Sequence, residues 1–267
     1  AVQRLGADAR LLRDRAVTAL RLWLERLAAS DGSPVVLLLD DLHWADDASL
    51  DALLALLKSA KGPLLALLCA RPGLLERRPG WGQGLPQHET LTLQRLGEAE
   101  GSELTRALLR RLNPVPEALT ELIERRAEGN PFYAEELVGM LLDQGVITGP
   151  GPHDVMHDSL DAGPDSHGSS AWRFHAERLH LQRLPTTVTG VLQARLDALD
   201  AEARRALQMA SVIGPVFWED ALGVLEPRGP QALPLLQRKS FVQPRPSSAF
   251  DDTHEAAFQH HLLHQVT

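Results

Sequence analysis

Apolar side chains recur at Leu12, Ala16, Leu20, Trp23, Leu24 and Leu27, the 3.6-residue stripe of a helix over residues 8–29 packed on a sheet. A polar turn, Ser-Asp-Gly-Ser-Pro, ends it. Val35 to Leu39 is apolar at every position and too short for a helix, which predicts a central parallel strand covered on both faces. Ser49 to Leu57 returns to helical periodicity until Lys61-Gly62-Pro63 breaks it. Leu64 to Ala70 then repeats the buried-strand pattern, ending at Arg71-Pro72, and Glu89 to Leu93 is a third candidate strand. Helix and strand in alternation predict an α/β layer with a parallel sheet.

From Gly97 the pattern is helical only, over 97–112, 116–128 and 131–144, with Asn-Pro and Gly-Asn-Pro as breakers. Asn130 suits a helix N-cap, Pro131 a first helical position, and Glu135 and Glu136 the positive end of the helix dipole. Residues 149–170 are rich in Gly, Pro, Ser, His and Asp with little to bury, which predicts a flexible linker, with the next helix starting near Trp172. From Pro185 the periodicity predicts helices around 187–199, 201–212, 217–225 and 229–238. Two short strands at Phe241-Val-Gln and Ala257-Phe-Gln and a helix from near His260 follow, the pattern of a winged helix. The expected organisation is a partial α/β core over 1–96, an all-α subdomain over 97–148, a linker over 149–171 and a winged-helix-like domain over 172–267.

Composition narrows the function classes. The 267 residues carry a net charge of -8, against the basic surplus that neutralising nucleic-acid phosphates requires, so direct nucleic-acid binding is not expected beyond a local basic face. The single cysteine, Cys69, lies in a predicted buried strand, so no disulfide framework is possible and a reducing, cytoplasmic setting is expected. No run approaches the roughly 18 apolar residues of a membrane span. Acyl-transfer chemistry has no Gly-x-Ser-x-Gly elbow to work with. His254, His260, His261 and His264 have only Asp251, Asp252 and Glu255 nearby to complete a zinc site, which disfavours one.

Asp40 and Asp41 follow directly on the first predicted strand. In an open parallel sheet, ligands bind outside the carboxyl ends of the strands, so Asp40 is placed to hold Mg²⁺ through a water and Asp41 to orient or deprotonate an attacking water. Adjacent acids also occur at strand ends simply as caps for the next helix. The whole string VVLLLDDLHWAD decides between these readings, because it resembles the Walker B strand and turn of the STAND class of AAA-related P-loop ATPases, found in large bacterial signalling proteins. The resemblance continues in order downstream. Arg71 matches the sensor-1 position that feels the γ-phosphate, and Gly-Asn-Pro-Phe at 129–132 matches the lid motif whose proline, here Pro131, packs near adenine. Phe258-Gln-His260 matches the winged-helix pattern whose histidine can reach the β-phosphate of ADP. The resemblance therefore implies ATP/ADP and Mg²⁺ as ligands, effector and sensor domains outside this chain, and self-association on activation. It implies a switch reset by hydrolysis.

One part of that pattern is missing. The phosphate cradle is a Gly-rich loop followed by Lys-Ser or Lys-Thr, and the lysines here are Lys58, Lys61 and Lys239, none in such a loop. The loop is expected upstream of residue 1, or lost. In the second case the chain is a non-catalytic scaffold. A winged-helix DNA-binding part of a regulator is a further alternative that the acidic balance weakens. Since that loop supplies most of the electrostatic stabilisation of phosphoryl transfer, these 267 residues alone are expected to bind ATP weakly and hydrolyse it negligibly. A phosphate-release assay that returned ordinary ATPase rates would contradict this.

Overall fold

The computed structural model describes residues 9–30, 32–85, 87–149, 172–179 and 184–267. The chain divides into two compact units, one up to Thr92 and one from Leu93.

The first unit runs α1 (Ala9–Ser30), β1 (Val35–Leu39), a 3₁₀ turn (Leu42–Trp44), α2 (Asp47–Ser59), β2 (Leu64–Leu68) and α3 (Gly73–Arg77). The strands pair in parallel, from Val35 opposite Leu64 to Leu39 opposite Leu68, with α2 as the crossover that parallel pairing requires. One sheet face packs Leu39 and Leu68 against Leu42, Leu50, Leu53, Leu74 and Trp81. The other face corrects the expectation of strands covered on both sides: Val36, Leu38, Leu65 and Leu67 are exposed, Leu38 at 64%. Cys69, expected to be buried, is exposed at the strand end. Only Leu24 of the predicted α1 stripe is fully buried. A two-strand sheet, with strands about 4.8 Å apart, is too narrow to cover a helix of 22 residues. Glu89 to Leu93 forms no strand. Leu91 and Leu93 stand in solvent, the latter 93% exposed, because among the described residues no neighbouring strand offers them a ladder.

In the second unit α4 (Glu98–Leu108), α5 (Glu117–Ala127) and α6 (Pro131–Asp143) pack around Leu109, Leu119, Ile123, Leu137, Leu141 and Ile147. β3 (Ile147–Thr148) pairs antiparallel with β4 (Arg173–Phe174), and α7 (Ala176–Leu179) follows. Trp172 therefore leads into a strand, not the predicted helix; its amide donates to the Arg111 carbonyl at 2.9 Å. Its indole lies so close to Gly149 that a Cβ there would stand 2.2 Å from Cδ1. The predicted linker, apart from Gly149, lies outside the described residues. α8 (Val188–Asp197), α9 (Ala201–Ile213), α10 (Glu219–Leu225) and α11 (Gly229–Arg238) match the predicted helices closely.

The expected pair of short strands, here β6 (Val242–Pro244) and β7 (Glu255–Phe258), gains a third member, of which the periodicity had assigned Phe217 and Trp218 to a helix. This is β5 (Val216–Trp218), which gives an antiparallel sheet of order β5-β7-β6, and α12 (His261–Val266) closes the chain. Phe217, Phe241, Phe258 and Leu207 anchor the core beneath it. Glu136, which the sequence marks only as suited to the helix dipole, is turned inward and paired with Arg195 at 2.5 Å. Leu137→Ala should cost about 2–5 kcal/mol in denaturant unfolding, whereas Leu38→Ala on the uncovered sheet face should change stability by no more than about 0.5 kcal/mol.

Candidate functional site

At the carboxyl end of β1 the chain turns sharply. Asp41 adopts a left-handed conformation, φ 52° and ψ 33°, which costs a non-glycine residue of order 1 kcal/mol. Local hydrogen bonds hold it there. The Asp41 amide donates to Asp40 Oδ1 at 2.8 Å, the Trp44 amide to the Asp41 carbonyl at 3.0 Å, and the Leu42 amide to the Cys69 carbonyl at 2.9 Å. The last of these extends the β1–β2 ladder into the turn, so the acidic pair is fixed to the end of both strands. Asp40 and Asp41 are both exposed.

Arg71 follows the end of β2, on the same edge. The link between it and the acids is His43, a residue to which the sequence reading assigned no role although it lies inside the Leu-His-Trp-Ala-Asp string. His43 Nδ1 lies 3.5 Å from the Arg71 amide nitrogen, which donates to it, and 3.7 Å from Asp41 Oδ1. Its side chain is 12% exposed, and Nε2 is buried with no hydrogen-bond partner. The structure thus groups Asp40, Asp41, His43 and Arg71 at one strand edge.

Asp46 starts α2, its carboxylate accepting the Ser49 amide at 2.7 Å. Hydrogen bonds from the Ser49 backbone and side chain hold the Asp46 carboxyl below the usual carboxylate range. Arg78 reaches back to Asp51 at 2.5 Å and to Asp47 at 3.3 Å, closing α3 against α2. Among the described residues no group of three or more His, Cys, Asp or Glu side chains converges to hold a metal. Mg²⁺ characteristically takes only one or two protein carboxylates, completing its octahedron with phosphate oxygens and water. The donor set fits a cation delivered with a phosphate ligand.

Pro131 and His260 belong to the second unit. Asn130 Oδ1 caps α6 by accepting the Tyr133 amide at 3.3 Å, and Pro131 is the first helical residue, exposed. The preceding Gly129 has φ +74°, and a Cβ there would stand 2.2 Å from the Leu96 carbonyl oxygen, so only glycine permits this turn to pass the 95–97 segment. The Leu96 amide donates to the Gly129 carbonyl at 2.9 Å. Beside the turn lies a cavity of about 420 Å³ lined by α4, α5 and residues 128–130. Glu124, in its wall, carries a buried Oε1 with no hydrogen-bond partner, an acceptor that requires a donor from elsewhere. His260 caps α12 by position and sets its ring edge-on against Phe132, centroids 4.5 Å apart. The Gly-Asn-Pro-Phe turn and the Phe-Gln-His segment, more than a hundred residues apart in the chain, are therefore in contact. His264 Nε2 lies 3.1 Å from the Ser211 carbonyl oxygen, and its ring lies edge-on to Phe258.

Residues 91–149 match the family described as a Domain of unknown function (DUF8739), a stretch that includes α4, α5, α6 and β3. No curated protein matches the chain. Among solved structures the chain is similar to the crystal structure of a Signal Transduction ATPase with Numerous Domains (STAND) protein with a tetratricopeptide repeat sensor from Pyrococcus horikoshii. The TM-score is 0.52 with 14% identity, over 94% of this chain and 29% of that protein. The chain thus spans under a third of its neighbour's length, and at this identity the likeness is one of fold. No helix among the described residues is long and apolar enough to cross a membrane.

The Asp46 cap gives a pH test. Its folded value is depressed, so its contribution to stability is present above the ordinary carboxylate range and is lost as pH falls through the folded value. Melting curves between about pH 2 and pH 7 should show that Asp46→Asn, which retains a good cap, keeps the neutral-pH midpoint while losing less stability than the parent below about pH 4. Asp46→Ala should be less stable already at pH 7.

Proposed function

We propose that the chain is part of a nucleotide-dependent switch in a signal-transduction ATPase. In this reading residues 1–96 belong to a P-loop nucleotide-binding core, 97–148 form its lid, 149–171 link it onward and 172–267 form a winged helix. ADP holds lid and winged helix in an off state, ATP exchange releases appended effector and sensor domains for self-association and output, and hydrolysis resets the switch. The observation that carries the reading is the strand edge where Asp40 and Asp41 leave a parallel pair, tied through His43 to the backbone of Arg71. The fold likeness to a STAND protein supports it.

The nucleotide with its Mg²⁺ would supply the phosphoryl group and the cation that neutralises its charge. The chain's own residues then have distinct tasks. Asp40 would accept hydrogen bonds from cation-bound water, and the Asp41 carboxylate would orient, or take a proton from, the attacking water. Arg71 would donate to the γ-phosphate as that charge develops. Pro131 would pack against the adenine beside the cavity, where the orphaned Glu124 Oε1 suits an exocyclic amino group as donor. His260 would donate to the β-phosphate of ADP.

A second reading is a scaffold that binds partners without hydrolysis, which holds if the Gly-rich Lys-Ser/Thr loop is lost. The DNA-binding alternative has the net charge of -8 against it. Asp41→Asn in a protein that includes the phosphate loop separates the first two. A switch predicts a fall in kcat of about 10²-fold or more with nucleotide affinity retained and signalling altered. Unchanged hydrolysis and signalling would remove Asp41 from the mechanism.

A further inference from the structure

We propose that Arg195 positions His260, by fastening both sides of the Phe132–His260 contact at once. The use made of His260 rests on the reading above; the positioning does not.

Arg195 extends from α8 into the interior and is 3% exposed. Each of its three side-chain nitrogens is engaged. Nη1 donates to Glu136 Oε2 at 2.5 Å, Nε to Asp143 Oδ2 at 3.0 Å, and Nη2 to the Lys239 carbonyl. Lys239 Nζ closes the set on Asp143 Oδ1 at 2.5 Å. The flat face of the guanidinium covers the Phe241 ring, 4.8 Å from its centroid. Two positive and two negative side chains from α6, α8 and the end of α11 are thereby locked in one arrangement.

From this hub two short paths lead to the same contact. Glu136 lies four residues after Phe132 on α6, one helical turn along the same face, so the Arg195 pair holds the turn of α6 that carries Phe132. On the other side Phe241, clamped beneath the guanidinium, accepts the Gln259 amide on its carbonyl at 3.0 Å, and His260 is the next residue. The His260 ring then meets Phe132 at 66° to close the circuit. Lysine could satisfy one arm of the hub but has neither the fork nor the flat face, so it cannot hold both paths. Gly139 leaves the space the fork needs: a Cβ there would stand 3.1 Å from Cζ and 3.3 Å from both Nε and Nη1 of Arg195. The guanidinium is too rigid to yield without moving as a whole.

The test reads His260 directly. In the 267-residue chain, the ring protons of His260 carry a ring-current shift from Phe132, identified by its loss in F132L. R195K, which keeps the positive charge, should remain cooperatively folded yet move the His260 resonances to their F132L positions. G139A, which retains every charge but displaces the guanidinium, should move them in the same direction. L119A, a truncation on α5 in the core that contains neither Phe132 nor Phe241, should lower the melting temperature and leave them in place. His260 resonances at wild-type positions in any folded Arg195 variant or in folded G139A would overturn the proposal, as would an equal displacement in L119A. A second arm uses a protein that includes the phosphate loop. H260A and R195K should each weaken ADP binding about ten- to a hundredfold, and the double variant no further. If the wild-type protein binds no ADP, the nucleotide reading fails, while the resonance shifts still decide the positioning.

Discussion

The second unit depends on a cluster of four charges, of which Arg195, Glu136 and Asp143 are buried and Lys239 is partly exposed. Moving an ion out of water costs several kcal/mol even after relaxation, and one left without a counter-ion inside a fold is strongly destabilising. Burial alone would depress the Arg195 pKa, but Glu136 and Asp143 outweigh it and hold the guanidinium above its ordinary value. The cluster is tolerable only when all four side chains are present together. That requirement is what it contributes: an apolar contact between α6 and α8 could slide by a residue at modest cost, while this one admits a single register. Here the ions act as a specifier of geometry more than as a source of stability.

Around that constraint the apolar packing is arranged on both sides of α8. Leu192 and Leu196 belong to the core under the three-stranded sheet, and Val191 belongs to the core of α4, α5 and α6. Tyr133, at the start of α6, adds a bond from its hydroxyl to the Pro185 carbonyl at 2.6 Å, tying the chain that enters α8 to the same helix. The Asn130–Pro131 turn and His260, both at helix N-termini, are consequently set on a continuous packed body.

The first unit holds its site by different means. Its core is small and one sheet face is open, so the acidic turn relies on short-range bonds: the Asp40 carboxylate to the next amide, the 3₁₀ turn, and the ladder continued through Cys69. His43 reaches between the two strand ends from a half-buried position, with Nδ1 facing both the Arg71 amide and the Asp41 carboxylate and Nε2 turned inward.

What the sequence by itself determined is everything that depends on near neighbours. The spacing of leucines and the breakers Gly-Asn-Pro and Lys-Gly-Pro placed α2, α4, α5, α6 and the helices from 188 to 238. Asn130 and Pro131 marked the start of α6 because capping is satisfied within three residues, and the run Val35–Leu39 followed by two acids placed the strand edge. The tertiary structure decided what depends on distant partners. Whether Glu89–Leu93 pairs, whether the sheet is covered on both faces, and whether Val216–Trp218 turns strand rather than helix each depend on a neighbour elsewhere in the chain. The clearest case is Glu136, which by local pattern only suits the positive end of the helix dipole and which the fold buries. Its partner Arg195 lies 59 residues away, and Lys239 lies 96 from Asp143. No periodicity encodes such pairs, since only the closing of the core brings the four charges together and takes Arg195, Glu136 and Asp143 out of water.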